Sequence, residues 1–78
     1  MNEAKKNEPA AKVRIGRVEA AIWENQGERG PWHSVTLSRT YESEDGALRS
    51  SSSFSGTDLL LASEALRLAH QRVRELTE

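Results

Sequence analysis

At 78 residues the chain is one domain at most, and a chain this short buries only about 60% of the surface it exposes when unfolded. It has no cysteine, so neither a disulfide nor a thiolate metal site can staple its thin core, and a second copy is expected to contribute burial. The 11 basic and 12 acidic residues leave a net charge of −1, which excludes a strong global pull toward polyanions.

Residues 1–11 are polar, lack periodicity and contain Pro9, so they are expected to be a disordered tail ahead of a single domain at 12–78. Charged Glu3, Lys5, Lys6 and Glu8 stand where a signal peptide would be apolar, and no apolar run approaches the ~20 residues of a membrane span. A cytoplasmic protein without membrane contact is the expectation.

From Lys12 to Trp23 the pattern is strand-like, but its phase changes. Val13 and Ile15 are apolar at odd positions, Val18, Ala20 and Ile22 at even ones, and Gly16 sits at the change. A β-bulge or bend at Gly16 would restore one buried face, since glycine tolerates the dihedrals required. Glu24 to Pro31, with two glycines and a proline, reads as a loop. A second strand runs from Trp32 to about Glu42, where Val35, Leu37 and Tyr41 alternate with hydroxyl side chains. Ser43 to Gly46 is a turn, and a third strand follows from Ala47 to Phe54.

Register follows from apolar pairing. Trp23 opposite Trp32 sets Ala20 against Val35 and Val18 against Leu37, and Glu42 opposite Ala47 sets Tyr41 against Leu48. Leu48 and Phe54 then point inward, with Arg49, Ser51 and Ser53 outward. After Gly56 a helix begins, with Thr57 or Asp58 as N-cap, and runs to about Leu76. Its apolar stripe is Ala62, Ala65, Leu66, Ala69, Val73 and Leu76, while Leu61 and Leu68 widen the arc on one flank and suggest a contact with another subunit. The fold expected is α+β: an antiparallel meander of three to four strands, the first bent at Gly16, followed by one long C-terminal helix.

Little in the inventory suits catalysis. His33 and His70 have no carboxylate or second histidine at ligand or relay spacing. The serines at 50–53 alternate faces without a base at a fixed offset, and the acids Glu42, Glu44 and Asp45 read as a solvated turn. No phosphate loop is present. A non-catalytic protein without metal or small-molecule cofactor is expected.

The outward sheet face is more informative. By the register above it carries Arg17, Trp23, Trp32 and Arg49 among hydroxyl side chains. Indoles offer stacking platforms for unpaired bases, and guanidinium and hydroxyl groups suit phosphates and base edges. The competing reading is structural: the two tryptophans form a cross-strand pair that pins the hairpin. Arg14 and Arg39, near strand ends, could snorkel or pair with Glu42.

Arg17 to Trp23, Val35 to Tyr41, Glu44-Asp45-Gly46 and the Asp58-Leu59 helix entry together resemble the single-stranded-DNA-binding domain of the eukaryotic transcriptional positive cofactor and the plant Whirly proteins. The chain is also similar to small bacterial proteins with segments like Ile22 to Asn25, Val35 to Tyr41 and Ser53 to Leu59. The cofactor resemblance implies a homodimer whose curved sheets hold single-stranded DNA or RNA through basic and aromatic side chains. It gives Arg17, Trp23, Trp32 and Arg49 that role, and Arg14 and Arg39 join them as phosphate contacts. That family's third strand is rich in lysine and arginine, whereas Arg49 stands here among serines. The alternative is a protein-interaction module that pairs through a strand edge or through the Leu61 and Leu68 flank.

Overall fold

The change of apolar phase at Gly16 is a chain reversal. In the computed structural model, which describes residues 8–77, strand β1 (Ala11–Ile15) and strand β2 (Val18–Gly27) form a hairpin closed by Gly16 and Arg17. Gly16 has φ +61° and Arg17 has negative φ, the II′ arrangement that suits a two-residue hairpin loop. The expected strand bent at Gly16 is therefore corrected to two strands. Pairing Ile15 with Val18 and Val13 with Ala20 sets odd positions beside even ones, so the hairpin unites both phases on one face.

The polar segment Glu24 to Pro31 is strand rather than loop for most of its length. Strand β3 (Gly30–Glu42) follows β2 after only Glu28 and Arg29. Trp23 faces Ser34 and Asn25 faces Trp32, two residues away from the expected register. A shift of two preserves parity, so apolar still meets apolar: Ile22 with Val35, and Ala20 with Leu37.

Strand β4 (Leu48–Ser51) is shorter than expected and slipped by one. The Gly46 N–H donates to the Ser43 carbonyl, the Ser43 N–H donates to the Ala47 carbonyl (both 2.9 Å), and Gly46 has φ +86°. This is a tight turn followed by a left-handed glycine, a three-residue hairpin loop that sets Glu42 opposite Leu48. A one-residue slip reverses the faces. Leu48, expected inward, is 73% exposed, whereas Arg49 and Ser51 share the side of Tyr41 and Arg39. Phe54 lies beyond β4 yet still packs against the core.

Helix α1 (Thr57–Thr77) covers one face of this four-stranded meander, ordered β1-β2-β3-β4, and completes an α+β fold. Its buried line is Ala62, Ala65 and Ala69, set on Val18, Ala20 and Ile22 of β2. Small side chains let the helix approach closely, and the core is correspondingly thin. Leu61 lies against Gly16, and Leu68 lies beside Lys12 and Val13, so this flank of α1 leans toward β1. Leu66 and Leu76, expected in the buried stripe, are 46% and 42% exposed. Asp58, considered as an N-cap, sits in the first turn and is buried. Of the expected tail, residues 1–7 lie outside the described residues. Its boundary moves back, because the Ala10 N–H already donates to the Ile22 carbonyl and Ala11 opens β1. Among the described residues no helix is long and apolar enough to cross a membrane.

Candidate functional site

With α1 on one side only, the opposite face of the sheet is uncovered among the described residues. Parity decides what it presents. Because Val18, Ala20 and Ile22 are buried under α1, the alternate β2 positions Glu19, Ala21, Trp23 and Asn25 point away from it. Their β3 partners Ser38, Thr36, Ser34 and Trp32 lie on the same side. Both indoles are thus on the open face, and Trp32 is 53% exposed.

The tryptophans are not cross-strand partners. They occupy diagonal positions, about 7–8 Å apart by the usual sheet spacing, and lean in different directions. The Trp23 indole N–H donates to the Thr36 hydroxyl (2.9 Å), which fixes that ring along the sheet. The Trp32 ring lies over Gly27, where a Cβ would come within 3.1 Å of its Cδ1, so glycine makes room for the indole. Between them the Asn25 amide donates to the Ser34 hydroxyl (3.1 Å). The expected indole-on-indole pin is replaced by two separated rings with an amide and a hydroxyl between them.

The basic residues divide differently from expectation. Arg14 is on the open face, 54% exposed, beside Lys12. Both point at Glu19, at 3.5 Å from Arg14 and 3.9 Å from Lys12. Arg17 and Arg39 go to the helix side. The Arg17 Nε donates to the Asp58 carboxylate at 2.9 Å, and the Arg39 Nε lies 3.6 Å from its other oxygen while donating to the Ser53 carbonyl (3.0 Å). Arg39 also lies 5.2 Å above the Tyr41 ring and does not pair with Glu42. Arg49 leaves the open face through the β4 slip and binds the turn, donating to the Ser43 hydroxyl and to Asp45. There the Ser43 hydroxyl, then the Ala47 N–H and Arg49, hold the Asp45 carboxyl below its usual value.

Of the six residues expected to contact nucleic acid, the fold gathers Trp23, Trp32 and Arg14 on the open face and separates Arg17, Arg39 and Arg49 from it. It adds Lys12 and Asn25, two positions along the strand from Arg14 and Trp23, which the same period of two would have found. Leu61 and Leu68, expected at a subunit contact, are half-buried toward their own β1. The reason is the seating of α1, which spends that flank within the chain and leaves Leu59 and Leu66 exposed on the other. The chain matches no protein-family model, no curated protein and no solved structure.

Proposed function

We propose that this protein is a non-catalytic binding module whose open sheet face holds single-stranded nucleic acid, chiefly by stacking. The observation that carries the reading is the pair of diagonal indoles on an uncovered face, Trp23 fixed by its bond to Thr36 and Trp32 lying over Gly27. An exposed tryptophan on a flat hydroxyl-rich surface is costly to leave in water without a ligand to cover it. Unpaired bases fit such a surface, since every base has a face to stack and stacking contributes about 1–3 kcal/mol per base. The Asn25 amide and the Ser34, Thr36 and Ser38 hydroxyls stand along the same strands, ready for base edges and phosphate oxygens.

Charge plays a minor part in this reading. Among the described strand residues, Lys12 and Arg14 are the basic ones on the open face, and both are shared with Glu19. The likeness to the cofactor and Whirly domains supports the reading in its aromatic half and departs from it in its basic half.

The test is a low-salt titration with an oligothymidine, followed by tryptophan fluorescence. Quenching is expected at submillimolar oligonucleotide, and Trp32→Ala is expected to remove most of it. With two phosphates neutralised, by Lys12 and Arg14, log K should fall with log salt with a slope of about −1.4. No quenching at low ionic strength rules out the reading, and a steep salt slope would move the contact to arginines elsewhere.

A further inference from the structure

We infer that two copies of this chain join edge to edge through β3, antiparallel about a two-fold axis at Val35, to make one continuous sheet. The inference is independent of what the open face binds. It starts from an accounting of backbone groups. The Thr40 N–H donates to the Arg17 carbonyl (2.9 Å), on the register that pairs β2 with β3. In an antiparallel ladder the residues bonded to a given neighbour alternate, so even positions of β3 bond β2 and odd positions turn their N–H and C=O to the other edge. At that edge Arg39 and Tyr41 meet Ser51 and Arg49 of β4. The chain leaves the sheet after Ser51, and among the described residues no strand lies beside His33, Val35 and Leu37.

Such an edge invites pairing unless it is blocked. The other edge of the sheet is guarded: β1 has 5 residues, and Lys12 and Arg14 are among them. From Trp32 to Ser38 the β3 edge carries no lysine, arginine or carboxylate.

The occupant that fits is a second copy, because the edge is self-complementary. Centred on Val35, the pairing sets Val35 against Val35 and His33 against Leu37 in both directions, which satisfies six backbone groups on each copy. The next step outward would set Pro31, which has no N–H, against Arg39, whose backbone is already bonded to β4. Pairing therefore stops at both ends where the sequence has run out of free groups. On the helix side the joined segment brings Val35 and Leu37 of both copies together, on the side of α1 that carries the exposed Leu59 and Leu66. His33, whose buried Nδ1 has no hydrogen-bond partner, lies on that side too. The open faces become continuous, so the indoles of both copies share one surface.

The size of the contact sets its strength. Seven residues at ~3.4 Å and a body 15 Å thick give roughly 360 Å² per copy, about half of a standard interface. The dimer is accordingly concentration-dependent. Sedimentation equilibrium from about 1 µM to 1 mM should show the mass rising from 8.7 kDa toward twice that value. Over the same range the amides of His33, Val35 and Leu37 should gain protection from hydrogen exchange. Val35→Pro removes one edge-facing N–H without touching the ladder to β2, and the folded variant should stay at the monomer mass. If that variant does not fold, exchange in the unaltered protein decides alone. A constant mass of 8.7 kDa overturns the inference, as does an oligomer whose three edge amides exchange as freely as in the monomer.

Discussion

Asp58 is buried to 6% exposure and has two arginines to satisfy it. Arg17 reaches it from the β1–β2 turn and Arg39 from β3, so one carboxylate ties the start of α1 to two places in the sheet. An acid in the first helical turn also faces the positive end of the helix dipole. Asp58→Ala removes the shared partner and leaves the charge of Arg39, whose side chain is only 24% exposed, without a carboxylate beside it. A loss of about 2 kcal/mol is expected, reduced from the buried limit because Arg17 is half in water, with a Tm lower by roughly 10 °C in thermal unfolding. An unchanged Tm would mean that the cluster contributes nothing. This clamp was not legible in the sequence. The three residues are far apart in the chain, and arginines at strand ends read equally well as solvent-facing or ligand-binding groups.

At the level of elements, the hairpin signal was present but open to two readings. A change of apolar phase beside a glycine is produced by a bulge and by a two-residue turn alike, and only the pairing of Ile15 with Val18 distinguishes them. Gly16→Ala tests the turn. At φ +61° an alanine costs about 1–2 kcal/mol, while its Cβ would sit 3.4 Å from a Leu61 methyl, an ordinary contact. A destabilisation of that size in chemical denaturation is expected, and no change would indicate that the turn relaxes to negative φ. The β4 register went wrong for a related reason. Asp45-Gly46 signals a hairpin but not its loop length, and one extra residue was enough to put Leu48 instead of Arg49 on the open face.

For the whole molecule, the fold class was legible because period-two and helical patterns, turn residues and chain order agree. The seating of the helix was not. Ala62, Ala65 and Ala69 are buried while Leu59 and Leu60 are 56% and 73% exposed, since a single helix seated on β2 with one flank toward β1 can bury only one line and that flank. Hydrophobicity alone ranks those leucines above the alanines. The candidate face survived the register errors in part: parity kept both indoles outward, whereas Arg17, Arg39 and Arg49 went to the helix side or to the turn. What remains is a surface with two indoles and little charge. The most direct test is an amide and indole shift map by NMR during titration with an unstructured oligonucleotide. The account predicts that both indole N–H signals and the amides from Trp23 to Asn25 and from Trp32 to Thr36 move together, with α1 unchanged. Shifts confined to the exposed leucines of α1 or to Arg17 and Arg39, with the indoles still, would contradict it.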